Sequence, residues 1–307
     1  MSIVVLAGGV GGARFVGALA EAVDPRELTV VGNVGDDLEI FGLHVSPDLD
    51  TLLYSLAGVG DDERGWGRRD ESWHALETAA ELGADPWFKL GDRDLGLHLV
   101  RTSSGQPLSG ITRKFTESLG VEVTLLPSTD DRLRTWVETP AGALEFQDWF
   151  VRRSHRDRVD AVRFEGEDTA WPAPGVCEAI GSANLLAIAP SNPFVSIAPI
   201  LAVREIRAAF ENRRVPAVAV SPLIGGRAVK GPADAMFTSL AAGTEPADVA
   251  RCYEGLIDAL VIDEADAGGA PAVEELGIRT VVTRTLMPAA NAELAEAVLG
   301  AVVTPTS

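Results

Sequence analysis

Residues 3–32 read IVVLAGGVGGARFVGALAEAVDPRELTVVG, and their order decides the fold. IVVLA (3–7) is a short apolar run, GGVGG (8–12) a flexible turn, ARFVGALAEAV (13–23) a helix rich in Ala and Leu, and LTVVG (28–32) the next strand. Strand, glycine loop, helix and strand in this order predict a parallel layer, because parallel neighbours need a crossover that a helix supplies. Similar runs return at 183–190 (ANLLAIAP), 215–222 (VPAVAVSP), 258–264 (DALVIDE) and 278–285 (IRTVVTRT), with helical segments at 199–212 and 232–243 between them. These runs are continuously apolar, as strands covered on both faces must be. The expected fold is α/β: a Rossmann-like, mostly parallel sheet flanked by helices.

The middle of the chain reads differently. Segments 70–83 and 107–120 are helical patterns that end in glycine, while VEVTLL (121–126), RTWVET (134–139) and LEFQDWFV (144–151) look like strands with more exposed faces. This predicts a smaller, mainly helical insertion over 61–169, with additional strands lining the cleft. The nucleotide-binding core then comprises 1–60 and 170–307.

With 307 residues, 46% of them hydrophobic, the chain can bury one large core. Its formal charge of -19 opposes non-specific adhesion to nucleic acid and to anionic membranes. No apolar stretch reaches the 18 residues of a membrane span. Two cysteines far apart, Cys177 and Cys252, suit a reducing compartment, and the expected location is the cytoplasm.

The loop after the first strand places Gly9, Gly11 and Gly12 at a helix start, where backbone N–H groups and the helix dipole favour a phosphate. Arg14 is placed to meet the same phosphate or to lie on the surface. The loop lacks the Gly-Lys-Ser/Thr of the ATP and GTP cradle. It also lacks the third glycine of the dinucleotide fingerprint, because Arg14 stands there, so redox use of a nicotinamide is not expected.

Four aspartates follow the second strand: Asp36, Asp37, Asp48 and Asp50. Carboxylates beside a phosphate loop repel one another unless a cation neutralises them, and Mg2+ suits carboxylate plus phosphate oxygens. The competing reading makes Asp50 a helix cap and leaves Asp37 solvated. Asp48 is expected to be a solvated loop residue. The four histidines lack the spacing of a zinc site.

Further polar islands follow other runs. Trp66 lies in GWGRRDESW (65–73), where an aromatic face suits a planar ring and arginines suit an anion. Lys89, Asp92 and His98 share the segment 88–102. Ser191, Asn192 and Pro193 form a rigid turn suited to a base or phosphate. Loops after successive strands point to one composite cleft for a nucleotide-bearing substrate.

Taken in order, GGVGGARF (8–15), NVGDD (33–37), PDLDT (47–51), RGWG (64–67), LGDRDL (90–95) and APSNPFVSIAPIL (189–201) resemble the 2-phospho-L-lactate transferase or phosphoenolpyruvate transferase family. That family makes the phosphodiester of the deazaflavin coenzyme F(420). The resemblance runs from residue 1 to about 290. It implies transfer of a phosphoenolpyruvyl or 2-phospho-L-lactyl group from a guanosine-diphosphate ester to the ribityl hydroxyl of the deazaflavin Fo, with release of GMP. It further implies Mg2+ handled by Asp36 and Asp50, Asp37 close by as a third catalytic acid, and a homodimer. The glycine loop resembles the diphosphate contact and Ser191 to Pro193 part of the nucleotide site; Trp66, Asp92 and His98 are assigned to the Fo side. The rival readings are another Mg-dependent nucleotide-diphosphate transferase and a non-catalytic guanine-nucleotide-binding protein.

Overall fold

The computed structural model describes residues 1–61, 63–241, 243–287 and 292–301, so the end of the expected core span, 302–307, lies outside the described residues. Strand β1 (Ile3–Ala7), helix α1 (Gly9–Ala22) and strand β2 (Leu28–Gly32) form the first unit. A hairpin of β3 (Leu38–Ile40) and β4 (Leu43–Val45) leads into α2 (Pro47–Leu56). Helices α3 (His74–Glu81), α4 (Asp92–Ser103) and α5 (Leu108–Ser118) precede β5 (Thr124–Pro127). Strands β6 (Arg134–Thr139), β7 (Gly142–Glu145) and β8 (Ala161–Glu165) make a separate antiparallel sheet. The chain returns through α6 (Val176–Ser182) to β9 (Leu185–Ile188), α7 (Ala198–Ala202), α8 (Arg204–Glu211) and β10 (Ala217–Val220). A short ribbon, β11 (Leu223–Ile224) and β12 (Arg227–Ala228), is followed by β13 (Ala259–Ile262) and β14 (Arg279–Val282).

The main sheet has the order β14-β13-β10-β9-β1-β2-β5, and every pair in it is parallel. All five residues of β1 are fully buried, which accounts for its unbroken apolar run. Ile3 of β1 stands opposite Leu28 on one side and Leu185 on the other. The chain builds outward from β1 through β2 to β5, then comes back to β9 on the opposite side. The crevice beyond β1 and β9 is therefore the topological switch point, where open α/β sheets bind ligands.

Several expectations change. Helix α1 begins at Gly9 rather than at 13, with extended Gly8 as its cap, so most of the glycine run is helix and not loop. The segment 121–126 contributes β5, which pairs with β2 as the edge of the main sheet instead of belonging to the insertion's own strands. The run 144–151 does not stay extended: β7 stops at Glu145 and a π-helical turn covers Asp148–Arg152. The reason is a second apolar cluster of Val137, Phe146, Trp149, Val159, Val195 and Met236, which draws Phe146 and Trp149 inward together. A strand would send residues an odd number apart to opposite faces. The helical run 199–212 breaks at Val203, whose backbone is extended between α7 and α8. Among the described residues, no helix is long and apolar enough to cross a membrane.

Candidate active site

At the switch point, the loops after β1 and β9 are in direct contact. Ser191 Oγ donates to the Gly8 carbonyl at 2.7 Å and accepts from the Gly8 N–H at 3.1 Å. A Cβ on Gly11 would stand 2.8 Å from the Pro190 carbonyl oxygen, and one on Gly12 would stand 2.5 Å from Ser191 Oγ. These two glycines are thus required by close packing of the two loops. Gly9 differs: its φ of +70° needs glycine, and no atom lies closer than 3.8 Å to its missing Cβ. Asn192 caps the turn Pro193–Ile197 by accepting from the Phe194 N–H at 2.9 Å, and Pro193 occupies the first position of that turn. Arg14 reaches away along α1, donating to the Met287 carbonyl at 3.3 Å.

The aspartates gather beside the start of α1. Asp48, expected to be solvated, is buried; its Oδ1 accepts from the Gly9 N–H at 2.7 Å and its Oδ2 from the Asn33 side chain at 2.9 Å. Gly8 leaves the space that Asp48 occupies: a Cβ there would be 2.3 Å from Asp48 Oδ2. The same Asn33 amide reaches Asp36 Oδ1 at 3.3 Å and the Val195 carbonyl at 3.2 Å. Asp36 Oδ2 accepts from the Gln147 side chain at 3.1 Å. Burial, reinforced by the charges of Asp48 and Asp37, pushes the Asp36 carboxyl well above its usual range. Burial likewise raises Asp48 to about 6, against the opposing hydrogen bonds from Asn33 and Gly9.

Asp37 and Asp50 are provided for differently. Asp37 accepts from Ser46 Oγ at 2.5 Å and faces His44 Nε2 at 2.7 Å. Asp50 forms a two-pronged pair with the buried guanidinium of Arg101, including Nη1 to Oδ2 at 2.9 Å. It also accepts from the Ser46 N–H at 3.3 Å, but it is not the helix cap: α2 starts at Pro47 with Ser46 as its cap, which puts Asp50 inside the first turn. A guanidinium can only donate, so its 3.2 Å contact makes His98 Nδ1 an acceptor and leaves the ring proton on Nε2, 3.3 Å from Asp94 Oδ1. Asp94 is bonded in turn by the Tyr54 hydroxyl. Burial alone would raise Asp94, but the contacts with His98, Tyr54 and Arg101 together outweigh it and lower its pKa. This differs from a metal shared by Asp36 and Asp50: Asp50 already has a cation in Arg101, and the carboxylate that shares a partner with Asp36 is Asp48.

The sequence reading passed over Asn33, Gln147 and Arg101. Asn33 had a signal, lying in the motif NVGDD between strand and acids. Gln147 had none, because it lies in a run read as a strand and meets Asp36 across 111 positions of chain.

A model of the family "2-phospho-L-lactate transferase CofD" matches residues 3–283. The chain belongs to the 2-phospho-L-lactate transferase family. It is 44% identical over 306 residues to a protein named phosphoenolpyruvate transferase from Streptomyces griseus, covering 97% of this chain and 96% of that one. Proteins of the same name from Thermobifida fusca (44% over 286 residues, 87% and 88% covered) and Mycobacterium sp. strain KMS (38% over 325 residues, 97% of each) are also similar. A crystal structure of a UPF0052 family member from Bacillus halodurans superposes with a TM-score of 0.65 at 16% identity, over 97% of this chain and 98% of that one. That likeness concerns the fold alone. Membership makes the chain an enzyme, a transferase of coenzyme F(420) biosynthesis that works between a nucleotide-diphosphate ester donor and an acceptor.

The remaining expected residues of this transferase lie farther along the insertion. Trp66 is exposed and packs edge-on against Trp73 at 6.2 Å, with the Arg64 guanidinium 5.3 and 5.1 Å from the two rings. Both tryptophans line a cavity of about 390 Å³ together with Leu76, Pro86 and Lys89. Asp92 instead serves the start of α3, accepting from Ser72 Oγ at 2.6 Å and from the His74 and Ala75 N–H groups. His98 is fully buried in the Asp50 network. A larger cavity, about 470 Å³, lies behind the Pro193 turn against Arg204, Arg207 and Tyr253, and includes none of the four acids.

Among the described residues, no group of three or more His, Cys, Asp or Glu side chains is arranged to hold a metal ion. The donor chemistry still fits a hard cation, since Asp36 and Asp48 are buried oxygen ligands, the charge of Asp48 raises Asp36, and neither takes a hydrogen bond from Lys or Arg. Family membership implies dependence on Mg2+, an ion that takes one or two carboxylates and completes its shell with substrate phosphate and water.

Proposed function

We propose that this transferase moves a phosphoenolpyruvyl group from its guanosine-diphosphate ester to the ribityl hydroxyl of the deazaflavin Fo, releasing GMP. The enolpyruvyl choice is supported by the name phosphoenolpyruvate transferase carried by the similar proteins of Streptomyces griseus and Thermobifida fusca. The observation that carries the rest is the pair Asp36 and Asp48, buried at the switch point beside the start of α1 with only neutral hydrogen-bond donors. Their uncompensated charge suits a divalent cation, and the N-terminus of a helix without acidic residues in its first turn suits the donor's diphosphate. Bound there, Mg2+ would neutralise the diphosphate and withdraw charge from phosphorus.

Asp36 and Asp48 hold the cation in this reading. Asp50 remains at the edge of this pair, held by Arg101, and Asp37 adjoins Asp36 in the chain. The Gly9 N–H is taken by Asp48, so the phosphate contact in this reading falls to the later amides in the first turn of α1. Phosphoryl transfer asks the protein mainly for alignment and charge stabilisation, and buried, fixed donors supply both. The acceptor's flat ring is placed toward the cavity of Trp66, Trp73 and Lys89, where aromatic faces and a cation are exposed.

The purified chain is assayed for GMP release with enolpyruvyl, lactyl and glyceryl diphosphoguanosine, each with and without Fo. Release should need Fo and Mg2+ and be fastest with the enolpyruvyl donor. Release at the same rate without Fo would make the protein a hydrolase, and equal rates with the lactyl donor would remove the donor assignment.

A further inference from the structure

Gln147 lies in the insertion, yet its side-chain amide is buried against Asp36 in the core. Its Nε2 donates both to Asp36 Oδ2 at 3.1 Å and to the Asp36 carbonyl at 3.2 Å. With Asn33 on Oδ1 at 3.3 Å, each carboxylate oxygen has one amide donor. An amide orients a carboxylate without cancelling its charge, whereas an arginine does both. The arrangement therefore fixes Asp36 while leaving its negative charge for a ligand.

What fixes Gln147 is equally visible. Its neighbours Phe146 and Trp149 are buried in the second apolar cluster, with ring centroids 6.0 Å apart, and the Trp149 indole N–H donates to the Asp157 carbonyl at 3.1 Å. The π-helical turn Asp148–Arg152 begins directly after it, an irregularity that often accompanies functional sites. Val195 belongs to the same cluster, and its carbonyl takes the Asn33 amide. One apolar cluster thus sets both amide partners of Asp36.

We infer that Gln147 is a positioning residue for Asp36, aiming the carboxylate from the insertion while Asn33 aims it from the core. This rests on Asp36 acting as proposed above. The test compares Gln147→Leu, Gln147→Met, Gln147→Glu and Asp36→Asn in the full chain, measuring kcat, KM for donor and acceptor, Mn2+ affinity by electron paramagnetic resonance, and Tm. Removing the amide should lower kcat and weaken Mn2+ binding by about 10- to 100-fold, the usual range for groups that orient a ligand. Both KM values should stay within about threefold; because a smaller folded fraction would also lower the apparent kcat at constant KM, the deciding readout is weaker Mn2+ binding at an unchanged Tm. Should Gln147→Leu not fold, Gln147→Met, close in length and lacking the donor, carries the same expectation, while Gln147→Glu, whose carboxylate is itself a cation ligand, should lose kcat without losing Mn2+. Folded Gln147→Leu or Gln147→Met with kcat and Mn2+ affinity within about threefold of the parent overturns the inference. Asp36→Asn with unchanged Mn2+ affinity would instead remove the metal reading of Asp36, a result separate from the behaviour of Gln147.

Discussion

The acid cluster divides into two halves of similar composition and opposite electrostatics. Asp50 and Asp94 lie with Arg101 and His98, so their charges are met by cationic or protonated partners inside the fold. Among the described residues, Asp36 and Asp48 accept from neutral donors, the amides of Asn33 and Gln147, the Gly9 N–H and the Ser196 hydroxyl, while Arg134 acts on Asp36 without a hydrogen bond. Burial is common to both halves, and the partner decides the outcome: Asp94 is held below its usual pKa while Asp36 and Asp48 are pushed above it. A carboxylate with a built-in guanidinium holds the structure together. One held by neutral donors keeps its charge available. The two aspartates of PDLDT fall on opposite sides of this division, although a single residue separates them.

The comparison is broken most directly at Asp36. Replacing it with Asn keeps the volume and removes the charge, so kcat should fall by about 10³-fold or more, the scale reached when a group stabilising transition-state charge is lost. Asp36→Asn with normal magnesium-dependent turnover would leave the unpaired half without a task. In contrast, Arg101→Met tests the paired half. It strands Asp50 as a buried charge, which costs about 3–5 kcal/mol and should lower Tm by roughly 6–12 °C. Mn2+ affinity of the folded variant should change little. A loss of Mn2+ binding as large as that of Asp36→Asn would join the two halves into one electrostatic unit.

How much of this was legible in the sequence depends on the range of the contact. The strand runs that form β1, β2, β9, β10 and β13 were readable because burial on both faces writes itself as a local apolar run, and the half-buried edge strand β14 was readable from its β-branched Thr280, Val281 and Val282. The β5 edge strand was assigned to the wrong layer, since nothing local tells which sheet a strand joins. The glycine run was read as a phosphate loop or a tight turn needed for packing, and its partner in that packing was not legible: the loop after β9 presses on Gly11 and Gly12. Asp36 was found through its place after a strand. Asp48 was misread because its partners, Gly9 and Asn33, lie 39 and 15 positions away. Distinguishing Asp48 from Asp50 required Arg101, whose contact with Asp50 spans 51 positions.

The smallest effect sharpens the comparison through pH. Asp48 has a folded pKa of about 6 against its usual 3.8, so the sign is that of a raised carboxylate. Its contribution to stability is fully present below about 3.8 and is lost as pH rises through about 6. Asp48→Asn removes that titration. In EDTA, the Tm of the parent should therefore fall relative to Asp48→Asn between pH 4 and pH 7.5. About two pKa units correspond to roughly 3 kcal/mol, or about 5 °C in a chain of this size. Saturating Mg2+ should reverse the trend, because only the ionised carboxylate binds the cation and binding stabilises the folded state. A parent whose pH profile is the same in EDTA and in Mg2+ would put Asp48 outside the cation's reach and leave Asp36 as the single carboxylate of the unpaired half.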